Sequence, residues 1–260
     1  MRLTLLICLI PALAAAEETT VSPVVVSATR IATPADQVAS SVTLITAADL
    51  QSHQWRTAAD ALAQAPGLNI TQTGGPGGLT SVFIRGANSN HTKVIIDGIE
   101  VNDPSQGGAF EFGQMVTSDL QSVEVLRGPQ SGLYGADALG GVITMTTKTG
   151  EGPTRLTGAS EAGAFATFNQ TAGLAGASGA LHYAVTLAHH RTGATPVTPL
   201  DLLPPGRARL DDFYDNITAS TKLAWDPSVG FGLDLTARYT DGHLRTTSDD
   251  FSVVPSVPVP

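Results

Sequence analysis

The sequence predicts an α+β domain followed by the first strands, about five, of an antiparallel transmembrane β-barrel. Three observations predict this. Residues 31–150 mix short alternating runs with two short helices and dense glycine. Residues 154–245 alternate apolar and polar over runs of about ten residues, with aromatics near the ends, as strands of a membrane barrel do. No run of about 18 or more apolar residues occurs, so no membrane-spanning helix competes with that reading. The composition narrows the classes further. With 260 residues the chain is long enough for one or two domains. Twenty-seven glycines and only 14% charged residues argue against a coiled coil. A net charge of −9 lacks the basic footprint of a general nucleic-acid binder.

Residues 1–16 read as an export signal. Met1-Arg2 is a short positive start, Leu3 to Leu13 is an apolar run, and Ala14-Ala15-Ala16 supplies the small residues of a cleavage site. The single cysteine, Cys8, falls inside this segment, so the exported chain uses neither disulfides nor thiol chemistry. Residues 17–30 follow as an N-terminal segment. Its run Ser22, Pro23, Val24, Val25, Val26, Ser27, Ala28, Thr29 combines strong β preference with a proline that keeps its neighbours extended. No alternation ties it to a core, so it reads equally as a strand awaiting a partner sheet and as the first strand of the domain.

Within residues 31–150, Ser41 to Thr46 alternates as a strand and a short helix follows over Ala47 to Ser52. Thr57 with Asp60 three residues on marks a capped helix start, with Ala58, Ala61, Leu62 and Ala65 as its apolar stripe and Pro66-Gly67 as its stop. Strands are expected at Leu68–Thr71, Ser81–Arg85, Thr92–Asp97, Ser122–Arg127 and Val142–Thr147, with a turn at Asp97-Gly98. Residues 151–260 begin the barrel. Two weaker strands, about 154–163 and 166–175, precede three strong ones built on Leu181–Ala188, Ile217–Trp225 and Val229–Tyr239. A water-soluble sandwich also alternates, but strand length and aromatic ends favour the membrane. Asp226-Pro227-Ser228 suits a short periplasmic turn and Thr192 to Asp212 a long external loop. A bacterial barrel needs about eight strands or more, so five cannot close.

Catalytic patterns are missing: no Gly-x-Ser-x-Gly elbow, no phosphate loop ending in lysine and no His-Glu-x-x-His pair. Nothing supports an enzyme. Acidic residues gather near the long loops, Asp211, Asp212 and Asp215 in one place and Asp241, Asp249 and Asp250 in another, where hard cations or plain solvation would suit them.

Three blocks resemble the TonB-dependent outer-membrane receptors. They are Pro23 to Arg30, which resembles the family's TonB box; Gly67 to Asp103, GLNITQTGGPGGLTSVFIRGANSNHTKVIIDGIEVND; and Leu120 to Thr147, LQSVEVLRGPQSGLYGADALGGVITMTT. The resemblance covers residues 22–150 and is nearest the vitamin B12 (cobalamin) receptor branch, notably at Ile84-Arg85-Gly86-Ala87-Asn88; residues 151–245 are similar to the start of that family's barrel more loosely. It implies that 31–150 is a plug, that a complete member has about 22 strands around it, and that the chain is an N-terminal fragment. It implies a location in the outer membrane of a Gram-negative bacterium, with TonB as the partner that pairs with the box as an added strand and draws on the proton gradient. The expected activity is active import of a scarce large nutrient, a cobalamin-like corrinoid first, with a ferric siderophore or haem as the rival. A truncated, non-transporting plug module is the alternative of another class. By the same resemblance, Leu79, Ser81 and Asn88 match substrate-contacting positions, and Gln106 and Gly107 fall in a second contacting loop. Arg85 and Arg127 resemble plug arginines that pair with barrel glutamates beyond residue 260. Asp212 and Asp241 lie near acidic loops that bind calcium in that branch, whose other acidic positions are unmatched here. No other cofactor is implied.

Overall fold

The computed structural model describes residues 24–25, 33–34, 37, 40–196, 199–203, 209, 211–228, 230–246, 248–250 and 257–259. The expected export signal, and Ser22, Pro23, Val26, Ser27, Ala28 and Thr29 of the expected TonB box, lie outside these residues. The remaining two box residues form β1 (Val24–Val25), which pairs antiparallel with β2 (Thr33–Pro34).

The α+β domain begins at β3 (Ser41–Thr46), which runs directly into α1 (Ala47–Ser52). Thr46 makes that junction: its Oγ1 accepts from the Asp49 N–H at 3.2 Å, while Asp49 Oδ2 accepts the Thr46 N–H at 2.9 Å. Thr57 and Asp60 repeat the reciprocal cap at the start of α2 (Ala58–Leu62), as their spacing predicts. The apolar stripe Ala58, Ala61, Leu62 and Ala65 is buried in the core.

A hairpin of β4 (Leu68–Gln72) and β5 (Thr80–Ile84) follows. Then β6 (Thr92–Ile96) turns at Asp97-Gly98 into β7 (Ile99–Glu100), both turn residues having positive φ. The domain closes with β8 (Leu120–Arg127), the single-turn α3 (Ser131–Tyr134) and β9 (Gly141–Thr147). These strands form a mixed sheet in the order β3-β8-β9-β6-β7, in which only β6 and β9 are parallel. Val94, Val123, Val125, Ile143 and Met145 bury its inner face against α2 and the β4-β5 hairpin.

From Arg155 the chain is a meander: β10 (Arg155–Gly163), β11 (Thr167–Ser178), β12 (Leu181–Thr195), β13 (Asp212–Ser228) and β14 (Phe231–Arg245), each antiparallel to the next. The last three run 15, 17 and 15 residues, longer than the ten or so expected, because their polar outer ends continue the ladder that the apolar stretches begin. A short hairpin of β15 (Ser248–Asp250) and β16 (Val257–Val259), which sequence reading did not foresee, comes last.

The meander buries its polar face. Along β13, Asn216 and Thr218 are 0% and 1% exposed, whereas Ile217 between them is 46% exposed. The registers extend this across the sheet: outward rows such as Leu174-Val185-Thr221 and Ala172-Leu187-Ala219-Tyr239 are mostly apolar. A membrane-barrel wall, with a polar, filled interior and an apolar exterior, has that inversion. The α+β domain packs against that polar face.

Candidate functional site

Three parts of the structure bear on function: the N-terminal strand, the loops at the ends of β5, and the contact between domain and wall.

Val25 in β1 is fully buried, and Val24 and Val25 face Pro34 and Thr33 across two ladder pairs. The extended segment expected to offer itself to a partner sheet is therefore already paired within its own chain. Two pairs, one of them to a proline that has no N–H, are a short ladder to break.

The five positions expected to touch a ligand fall into two groups. Leu79 is 58% exposed at the start of β5, and Ser81 pairs with Thr71 beside it, half-buried. Asn88 lies beyond the other end of that strand, exposed, with no hydrogen bond from its side chain to the turn it begins (Ser89–His91). At about 3.3 Å per residue, β5 separates Leu79 from Asn88 by roughly 15 Å. Gln106 and Gly107 are exposed in the turn that follows Asp103. They lie beside Asn88's loop, because Asn102 Nδ2 donates to both Thr92 O (2.9 Å) and Gly108 O (2.8 Å). The structure thus brings Asn88, Gln106 and Gly107 to one place and leaves Leu79 and Ser81 in another.

The glycine loop 73–78 is gripped by the wall. Asp212 Oδ2 accepts the Gly75 N–H at 2.9 Å, and Gln114 Nε2 donates to Gly77 O at 2.8 Å. Asn216 Nδ2 in turn donates to Gln114 Oε1 at 3.2 Å. Gly77 has φ +74 and lies so close to the Tyr214 ring that a Cβ there would sit 2.1 Å from it. Glu111 Oε1 accepts from the N–H groups of Thr80 (2.8 Å) and Gly113 (2.7 Å), while burial pushes its carboxyl up from the ordinary value. Sequence reading singled out none of Glu111, Gln114, Tyr214 and Asn216. The alternation of β13 carried a signal for the last two, since a polar face turned inward needs polar partners.

Asp212 and Asp241 are not brought together. Asp241 is the ladder partner of Ile217, five residues along β13 from Asp212, and lies 3.8 Å from His243. Among the described residues no three His, Cys, Asp or Glu side chains converge as a metal site would require. Arg127 donates to Ser41 Oγ (3.0 Å), Thr43 Oγ1 (2.7 Å) and Pro66 O (2.9 Å). Burial, and then the charge of nearby Arg85, lower its pKa. Among the described residues neither arginine has a carboxylate within 4.0 Å.

Comparison with known proteins follows this geometry. Residues 34–142 match the TonB-dependent Receptor Plug Domain family. The fold resembles the siderophore receptor PirA from Acinetobacter baumannii, with a TM-score of 0.61 at 22% identity over 78% of this chain and 32% of that one. It resembles the ferric yersiniabactin uptake receptor FyuA from Yersinia pestis, with a TM-score of 0.61 at 23% identity over 78% and 32%. The ferripyoverdine receptor of the outer membrane of Pseudomonas aeruginosa, bound to ferripyoverdine, gives 0.68 at 18% identity over 85% and 27%. The chain spans about a third or less of the length of these structures. The match at residues 34–142 is thus to the plug-domain family of the TonB-dependent receptors, and the plug together with its five strands shares the fold of the N-terminal part of such receptors.

Proposed function

We propose that this chain supplies the plug, the coupling strand and the first wall strands of an outer-membrane importer that takes up a scarce, large nutrient at the expense of the proton gradient, through TonB. The observation that carries the reading is the inverted wall: polar residues of β12 and β13 buried against the plug, apolar residues turned outward. A plug gripped at its glycine loop blocks the passage, and energy has to reach it from the periplasm. Val24–Val25 is the strand on which TonB would pull, by adding its own strand to that backbone. Export by residues 1–16 belongs to the same reading.

Two substrate classes are proposed for the exposed loops. A corrinoid is favoured by the Ile84–Asn88 block, where the Asn88 amide can both donate to and accept from polar groups on the ligand rim. A ferric siderophore is favoured by the receptors whose fold is shared, which are described as siderophore and ferric yersiniabactin receptors. Equilibrium binding of cyanocobalamin and of ferric enterobactin to the purified receptor separates them; Asn88→Ala should weaken whichever binds. Coupling is tested by Val25→Pro. Proline removes the N–H that a pairing strand needs, so energised uptake should be lost while ligand binding is retained. Normal uptake in that variant would remove Val25 from the coupling role.

A further inference from the structure

The inner surface of the wall is smooth across its middle: Ala188, Thr218 and Thr240 share one cross-strand row, and Gly173, Thr186 and Ser220 the next. Two long cations interrupt it on adjacent strands. Lys222 reaches in from β13 to Asp97 Oδ1 at 2.7 Å, and Arg238 from β14 to Asp119 Oδ2. Both carboxylates are nearly sealed, at 4% and 2% side-chain exposure. The Asp97 carboxylate is held on the plug side as well, and Asp119 is held there through its backbone. Thr147 gives Asp97 its N–H (3.0 Å) and its hydroxyl (2.6 Å), and the backbone of Asp119 accepts the Lys148 N–H at 2.8 Å.

The positions of these groups in the topology matter more than their number. Asp97 ends β6, Asp119 precedes β8 and Thr147 ends β9, so the three central strands of the plug sheet are gripped at the same end. Thr147 and Lys148 are also where the chain leaves the plug for β10. Among the described residues the edge strand β3 has no such tie; it pairs with β8 alone, and it is the strand of this sheet nearest β1 and β2 in sequence. A pull arriving through β1 therefore parts the two-pair β1–β2 ladder, meets β3 before any other strand of the sheet, and unzips an edge ladder pair by pair. Opening either ion pair would instead leave a buried charge without its partner.

We propose that Lys222 and Arg238 form a two-point latch that fixes the exit end of the plug sheet to the wall and stays closed throughout uptake, sealing that side while the β3 edge is drawn away. This rests on the transporter reading above.

The test uses the full receptor. In planar bilayers the parent should be silent, and Lys222→Met/Arg238→Met should show single-channel steps; a silent double variant overturns the latch. Because that variant could fail to fold, Asp97→Cys/Lys222→Cys, in a receptor whose other cysteines are replaced by serine, is bridged with a thiol-cleavable bis-methanethiosulfonate linker. The bridged receptor should be silent, should conduct after reductant, and should carry cyanocobalamin or ferric enterobactin at the parent's rate. Uptake blocked by the bridge and restored by reductant would show that the latch must open, and overturns the proposal. A parent that carries neither probe faults the transporter reading instead, and the conductance result still judges the latch.

Discussion

At the scale of single residues, Gly77 is tightly constrained in the plug's outer loop. Its φ is +74, and the Tyr214 ring occupies the space a side chain would need. Gly77→Ala therefore meets two penalties, a strained backbone and overpacking, of which the second alone costs roughly 1–3 kcal/mol. The expected outcome is a lower thermal midpoint and a loop freed from Asp212, read as faster proteolysis between Thr73 and Leu79. Tyr214→Ala in the same chain should restore part of the loss by vacating the space. A Gly77→Ala receptor as stable as the parent would show that the loop does not sit against Tyr214. Glu111 belongs to the same neighbourhood: with its pKa raised by burial, the folded state favours the protonated form, so its contribution is full in acid and is lost as pH rises through the raised value.

Among the elements, the capped junction between β3 and α1 makes the opposite pH argument. The Asp49 carboxyl is held below its ordinary value, first by the Thr46 N–H and then by the Thr46 hydroxyl. A lowered folded pKa contributes stability above the unfolded value and loses it as pH falls through the folded one. Thr46→Ala removes the cap and should cost about 1 kcal/mol near neutral pH. That difference from the parent should shrink in acid, where Asp49 is protonated in both; thermal melts across the acid range check it, and a difference independent of pH would assign Thr46 a packing role only. These caps were legible because Thr-x-x-Asp carries the whole interaction within four residues, at Thr46 and Thr57 alike. So were the sheet strands with clear alternation. Short β7 was not legible, since a two-residue strand exists only through its partner β6. The outer halves of β12 and β13 were hidden for a related reason: residues such as Thr192 and Tyr214 pair with each other across a long connection, and nothing local announces it.

For the whole molecule, the same distinction governs what could be read of the site. The positions expected to contact a ligand came from resemblance, and the structure gathers Asn88 with Gln106 and Gly107 but leaves Leu79 and Ser81 at the far end of β5. Contacts between plug and wall, from Asp212 to Gly75 and from Lys222 to Asp97, join residues more than a hundred positions apart, which no periodicity encodes. What periodicity did encode was the two faces of the wall, and that yields the largest-scale prediction. The plug sheet is fastened at its Asp97 end, while its other end presents Arg85 and Arg127 side by side. The segment that completes the barrel is proposed to bring carboxylates there, since two adjacent guanidiniums repel until an anion sits between them. On the proposed reading the wall faces lipid with the row that contains Leu187, which is 52% exposed. Leu187→Arg places a cation in the middle of the apolar band and should cost about 2–4 kcal/mol of folding in lipid, reducing the heat-modifiable, folded fraction of the receptor in outer-membrane preparations. Arg191→Leu, on the same face but beyond the band, should leave that fraction unchanged. Equal tolerance of both substitutions would mean that the apolar face meets protein or water rather than lipid, and the barrel reading would fall with it.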